Sequence, residues 1–478
     1  MVKNEISPIS GEIDKLGKRG GAKPPGTALA AGSEFETAPR KIRVNPLDAV
    51  TNSSGFLKMQ AREQSFFHLL PQKRSRFPVN MLHVSHFIPL FPVVKQFFPS
   101  ILNRSKRGMQ MKTTNPFEGY RRGVGIGGWL TNYKRFNVLP EAWRYPITVG
   151  DLEHFESYIT EADIRRIASW GVDHIRLGFD QIVLEAAPGI WREPVFRKIG
   201  EFLCWCGKYH LRVVLNLHKA VGNYCDIAEP VSLLEDAALQ ERFIALWREI
   251  ERRWHHADSV AFELLNEVRN VPPEQWNSLA IRTIEEIRQL NPTRKIIVGG
   301  IGWNSPEALR FLPRFDDPAV ACTFHCYEPF EFTHQQGVLQ PGPLYYNRKM
   351  CYPGDSAPYR EYQELTGGNP ARYDGFERID RAYLAEVLRP AFEFRRERPE
   401  TFLWCGEFGT IRHCRLEYRE NWMSDLISLL EEHEIPWCAW NYLSTPNDGN
   451  RFSLVDDDTR EILSPRLAGI LRGESARR

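Results

Sequence analysis

Two carboxylates stand out in this chain. Glu267 closes the run V-A-F-E-L-L-N-E and Glu407 closes T-F-L-W-C-G-E, each an acid at the end of a mostly apolar stretch. A pair of carboxyl groups at one site suits cleavage of a glycosidic bond. One gives a proton to the leaving oxygen; the other attacks the sugar, or activates water, from the opposite face. Bringing the two together splits their proton affinities, because ionising one disfavours ionising the other. Two buried acids also need compensating partners. Arg176, His218 and His325, each near the end of another apolar run, offer that charge.

Competing chemistries are weaker. His218, His325, Glu267 and Glu407 include donor types for a divalent ion, yet no His-x-His or His-Glu-x-x-His pair occurs. No metal and no other cofactor is expected. A serine hydrolase would need Gly-x-Ser-x-Gly, which is absent. The run G-V-G-I-G-G-W lies within an expected strand and does not lead straight into a helix, so it is a poor dinucleotide fingerprint.

The elements that must position these residues are legible from about residue 120. Short β-branched runs are expected as strands at 122–129, 172–179, 211–218, 260–267, 294–301, 319–327, 401–409 and 436–442. Amphipathic stretches near 160–171, 192–209, 235–254, 273–290, 305–312, 378–398, 416–433 and 464–473 are expected as helices. Eight strands alternating with eight helices predict a closed (β/α)8 barrel. In such a barrel the C-terminal strand ends face the substrate. Six of them carry a polar or aromatic residue: Arg176; His218; Asn266 and Glu267; His325 and Tyr327; Glu407; Trp440 and Asn441. Stability alone does not explain that repetition. Trp404, three before Glu407, is expected by alternation to face the helices as core. One connection is long. The segment 328–377 follows the sixth strand and predicts a small inserted subdomain on the catalytic face.

Composition bounds the remainder. The chain has 478 residues, 42% hydrophobic and 12% aromatic, ample for a packed core. Residues 1–110 hold 17 Lys and Arg against 7 Asp and Glu, whereas the rest holds 45 against 53. A basic leader precedes an acidic body, which argues against nucleic acid as a partner. The leader is rich in Gly, Pro, Ser, Lys and Arg early on, lacks periodicity, and is expected to be disordered. Met109 and Met111 precede the first patterned segment, so translation starting there would make the leader an extension; an interaction or targeting arm is the other reading. Nine cysteines without a regular framework suit reduced thiols. With no secretory h-region the cytoplasm is favoured, although export stays open. The apolar stretch 77–102 is interrupted by Pro78, Pro89, Pro92, Pro99, His83, His86 and Lys95, and no membrane span is expected.

Taken in order, R-G-V-G-I-G-G-W, H-I-R-L, L-N-L-H, L-L-N-E, F-H-C-Y, C-G-E-F-G and A-W-N-Y resemble glycoside hydrolase family 5 over residues 118–473. F-E-F-T-H-Q, Y-N-R and Y-P-G after the sixth strand resemble its single-domain bacterial endo-β-1,4-glucanases that carry a helical insertion there. The resemblance implies a retaining enzyme acting on β-glucans, with a polysaccharide or oligosaccharide substrate; a monomer is expected. It implies Glu267 as acid/base, Glu407 as nucleophile, and Asn266 as the partner of the sugar 2-hydroxyl. It implies Arg176 and Tyr327 as partners of the nucleophile, and His218 and His325 as contacts to sugar hydroxyls or the acid/base. Trp440 would be the stacking floor, with Trp129 and Trp303 at flanking subsites. The third strand departs from the family pattern: L-N-L-H-K-A-V-G lacks the usual Asp before L-H and places Lys219 after His218. β-Mannan, β-1,3-glucan and short glucosides are the alternative substrates, and a non-catalytic sugar-binding barrel is the alternative of another class.

Overall fold

The computed structural model describes residues 115–131, 149–224, 231–445 and 448–474. The expected disordered leader lies outside the described residues. The elements run β1 (Arg122–Leu130), α1 (Glu161–Ala168), β2 (His174–Asp180), α2 (Glu193–Lys208), β3 (Arg212–Lys219), α3 (Ala237–Arg253) and β4 (Val260–Glu263). They continue α4 (Pro273–Leu290), β5 (Lys295–Gly299), β6 (Val320–Cys326), α5 (Arg381–Glu397), β7 (Leu403–Phe408), α6 (Leu416–Glu432), β8 (Trp437–Ala439) and α7 (Pro465–Leu471). A further short helix, Val149–Ser157, precedes α1. The stretch expected as a helix after β5 is instead a six-residue 3-10 turn, Pro306–Phe311.

All eight strands pair in parallel and the sheet closes, β1 hydrogen bonding to both β2 and β8. The helices form because their apolar residues recur on one face. Phe243, Ile244, Trp247 and Ile250 of α3 are buried, and Asp236 caps its first turn by accepting from the Ala238 and Leu239 amides. No helix among the described residues is long and apolar enough to cross a membrane.

Strand alternation sorts the barrel into two cores. Outward residues such as Val213, Leu215, Phe262, Ile296 and Val320 pack against the helices. Inward residues Val214, Ala261, Ile297, Ala321 and Cys438 form a separate plug, sealed from below by Phe117 and Tyr120. Trp404 belongs to this interior plug, not to the helix-facing core where alternation from Glu407 put it. The reason is a register shift between Cys405 and Glu407, where the β7 pairing with β6 skips Gly406. Such an irregularity re-aims the following side chains. It lets both Trp404 and Glu407 face the interior.

Trp129 is corrected on the same grounds. Gly123, Gly125 and Gly127 face inward, which would carry Trp129 inward too. The β1–β2 register instead shifts between Ile126 and Leu130, with Gly128 at φ 71°. Trp129 is turned into the outer core, fully buried, its Nε1–H donating to the Phe155 carbonyl at 2.8 Å. It is not a sugar subsite.

The segment after β6 folds into short helices, Phe330–Thr333, Pro341–Tyr346 and Ala357–Thr366, and a two-stranded ladder pairing Gly354–Asp355 with Arg378–Ile379. Tyrosines supply its interior: the rings of Tyr359 and Tyr373 lie 5.7 Å apart and those of Tyr346 and Tyr362 lie 5.3 Å apart.

Candidate active site

Six of the expected residues meet at the C-terminal mouth of the barrel, organised by Arg176. This guanidinium is fully buried on β2. Its Nε and Nη2 donate to Glu263 Oε2 and Oε1 at 2.6 and 2.8 Å, a two-pronged ion pair. Nη2 also donates to Asn266 Oδ1 at 2.8 Å, which turns the NH2 end of Asn266 away from Arg176. Nη1 donates to Glu407 Oε1. Burial would disfavour the guanidinium charge, but Glu263 and Glu407 outweigh it and raise its pKa.

Glu407 is held at both oxygens. Oε1 takes Arg176, and Oε2 accepts from the Tyr327 hydroxyl at 2.8 Å. Burial alone would push its pKa up. His325, Arg176 and the Tyr327 hydrogen bond together overcome that and hold the carboxyl below its ordinary value. Tyr327 in turn stays a phenol, pushed well up by burial and by the neighbouring Glu407.

Glu267 lies in a different environment. Its backbone adopts φ 44°, an uncommon conformation for a residue with a Cβ. Its Oε1 lies 2.9 Å from His325 Nδ1. Burial raises its pKa and outweighs His325, while the charge of Glu407 raises it further. The Glu267 side chain is 19% exposed against 5% for Glu407, so it is the one presented to the cleft. Ligand oxygens of the two carboxylates lie within 4.8 Å of each other. One is therefore poised as a proton carrier and the other as an anion, across a short gap.

His218 and Trp440 sit beside this pair, their rings parallel within 3° and 5.4 Å apart. Asn216 Oδ1 lies 3.0 Å from His218 Nδ1. The glycines of β1 explain where the indole goes. A Cβ on Gly125 would come within 2.7 Å of the Trp440 ring, and one on Gly127 within 2.5 Å. The glycine-rich first strand is thus a floor for Trp440. Trp303 lies just past β5 in a groove whose lining includes neither carboxylate. It is 43% exposed and lines that groove, of about 460 Å³, with Val231, Glu235, Arg269 and Asn270.

Two residues were missed by sequence reasoning. Glu263 carried a signal: a charge inside V-A-F-E-L-L, on the inward parity of its strand, requires a buried cation. Asn304, whose Nδ2 lies 3.3 Å from His325 Nε2, carried none, because its placement depends on a left-handed turn.

Glu267, His325 and Glu407 are compact enough to be considered as metal donors. The donor set does not suit a divalent ion. Both Glu407 oxygens are already engaged, and a metal there would sit against the Arg176 charge.

Comparison with known proteins agrees with this geometry. The model of the family described as cellulase (glycosyl hydrolase family 5) matches residues 141–445, which include every residue of the cluster. The chain is 35% identical to Endoglucanase C of Acetivibrio thermocellus over 359 residues, covering 74% of this chain and 98% of that protein. It is 30% identical to Cellodextrinase A of Ruminococcus flavefaciens over 322 residues, covering 66% and 84%. Among solved structures, a mutant form of Thermotoga maritima Cel5A in complex with cellobiose superposes with a TM-score of 0.56 at 25% identity, over 75% of this chain and 98% of that one. A closed parallel barrel, paired acids at its mouth and a family match spanning both acids lead to one assignment: the chain belongs to glycosyl hydrolase family 5, and it is a glycosidase.

Proposed function

We propose that this glycosidase is a retaining endo-hydrolase of β-linked glucans, with Glu407 as nucleophile and Glu267 as acid/base. The observation that carries the reading is the contrast between two acids within 4.8 Å: one held anionic by Arg176 and Tyr327, the other driven toward its protonated form by burial. A gap of that size suits direct attack on the sugar. Inverting enzymes keep their carboxyls about 6.5–9.5 Å apart to admit a water.

In the first step Glu407 attacks the anomeric carbon as the glycosidic bond breaks, and Glu267 gives its proton to the departing oxygen. In the second, Glu267 takes a proton from water, whose oxygen displaces Glu407 from the anomeric carbon. Asn266, aimed by Arg176, is the candidate partner of the 2-hydroxyl. Trp440 and His218 form the wall beside that sugar, and Trp303 offers an outlying aromatic surface. The names of the relatives, endoglucanase and cellodextrinase, support a β-1,4-linked glucose polymer or its short fragments as substrate.

The test is reducing-sugar release from soluble mixed-linkage β-glucan, run beside Glu407→Gln. Release by the wild type and none by the variant is expected. Equal activity in both would overturn the role of Glu407. No release by either, with turnover of mannan or β-1,3-glucan, would overturn the substrate class.

A further inference from the structure

The turn after β5 is built in a way that the reaction scheme above does not use. Gly302, Trp303 and Asn304 are three consecutive left-handed residues, with φ of 61°, 57° and 56°. Such a run is rare for residues other than glycine, and rarer still at a bulky aromatic. Backbone strain of this kind persists where surrounding structure holds it in place. Here the Trp303 amide donates to the Val268 carbonyl at 2.9 Å, tying the turn to the residue after Glu267. The consequence is that neighbouring side chains part: Trp303 goes out to solvent and Asn304 goes in, fully buried. Its carboxamide lies over Gly299, where a Cβ would come within 2.4 Å of Oδ1. From there Nδ2 reaches His325 Nε2 at 3.3 Å, and His325 Nδ1 reaches Glu267 Oε1 at 2.9 Å.

An imidazole between two partners has one tautomer that satisfies both. An amide N–H at Nε2 makes Nε2 the acceptor and puts the ring proton on Nδ1. The Nδ1–H then donates to Glu267 Oε1. When Glu267 is the acid, its own proton is kept off Oε1 and belongs on Oε2. With the opposite tautomer Nδ1 would be an acceptor, and the acid proton would be drawn to Oε1 and the ring, away from the leaving oxygen.

We propose that Asn304 is a positioning residue that sets the His325 tautomer and thereby places the catalytic proton on the Oε2 oxygen of Glu267. The proposal rests on the reading of Glu267 as acid/base. The proton that reaches the leaving oxygen comes from Glu267 Oε2, and the one that restores Glu267 comes from water. The other groups facing this pair are Glu407 on β7, Arg176 on β2 with Glu263 behind it on β4, and Tyr327 just past β6. None of them touches Nε2.

The experiment compares two substrates, cellotetraose and 2,4-dinitrophenyl β-cellobioside. The second has a leaving group that departs without protonation. For Asn304→Ala, kcat/KM on cellotetraose is expected to fall at least tenfold, while kcat/KM on the dinitrophenyl substrate stays within threefold of wild type. Asn304→Asp, which keeps the shape but replaces the donor by an acceptor, is expected to show the same selective loss if the alanine variant fails to fold. Nitrogen-15 spectra of the His325 ring, identified by difference from His325→Gln, should show an unprotonated Nε2 in the wild type. Equal losses on both substrates, no loss on either, or a wild-type ring protonated at Nε2 would overturn the proposal. Glu267→Ala is run alongside. If it too loses both substrates equally, the acid/base reading fails. If it is selective and the Asn304 variants are not, that reading stands and the role of Asn304 falls.

Discussion

Tyr327→Phe tests the electrostatics of the site with little disturbance to its shape. The Tyr327 ring packs edge-on against His334 and Phe452, with centroids 5.2 and 5.7 Å away, and phenylalanine retains both contacts. What is removed is one hydroxyl, which donates to Glu407 Oε2 at 2.8 Å. A hydrogen bond to a charged group contributes about 1.5–3 kcal/mol. At about 1.36 kcal/mol per factor of ten, its loss corresponds to a fall in kcat/KM of roughly 10- to 150-fold. The pH profile carries a second, independent signature. Glu407 must be ionised to attack, and its lowered pKa keeps it so as the pH falls. Without the hydroxyl the carboxyl is easier to protonate, so the acid limb should move to higher pH. The basic limb reports loss of the Glu267 proton, and Tyr327 makes no hydrogen bond to that residue, so this limb should move little. Initial rates on soluble β-glucan across pH 3–10 read both effects (about the range that spans the two carboxyls). A variant within twofold of wild type with an unmoved acid limb would refute the claim that Tyr327 holds Glu407 anionic.

Two more substitutions probe the barrel that carries the site. Trp129→Ala should destabilise the fold by about 3–5 kcal/mol, as expected for emptying a buried tryptophan site, while the molecules that remain folded keep the wild-type KM. A raised KM at unchanged unfolding midpoint would return Trp129 to the cleft. Gly127→Ala would drive a methyl to within 2.5 Å of the Trp440 ring. It should tilt the indole and raise KM several-fold with the barrel intact by circular dichroism, and unchanged kinetics would show that Trp440 does not depend on that floor.

Much of the fold was readable because the barrel repeats one simple pattern. Each buried strand is an apolar run with a polar end, and each helix shows an apolar stripe, so β2, β3 and β6 fell within a residue or two of expectation. The carboxylate pair was readable for the same reason, as was Arg176. The errors arose where period-two alternation breaks. Trp404 was assigned by counting from Glu407, and a register irregularity at Gly406 lies between the two; Trp129 was placed at a subsite from its position near the end of the first strand, and the irregularity near Gly128 turns it into the outer core instead. Nothing in a single sequence marks a glycine as a register break rather than a packing floor, and β1 contains both kinds. Asn304 was hidden by a different cause: three left-handed residues in succession reverse the side-chain directions that the sequence around V-G-G-I-G-W-N suggests. Glu263 could have been found, since a charge at an inward position of a barrel strand must meet a counter-charge, and Arg176 was the available one.

The central claim is that Glu407 becomes covalently attached to the sugar. Incubation with 2,4-dinitrophenyl 2-deoxy-2-fluoro-β-cellobioside, which slows the release step, followed by mass mapping of a digest, tests it directly. The account requires one fluorocellobiosyl adduct on the peptide that contains Glu407, with dinitrophenol released in equal amount. An adduct on Glu267, or steady hydrolysis with no adduct at any residue, would contradict it.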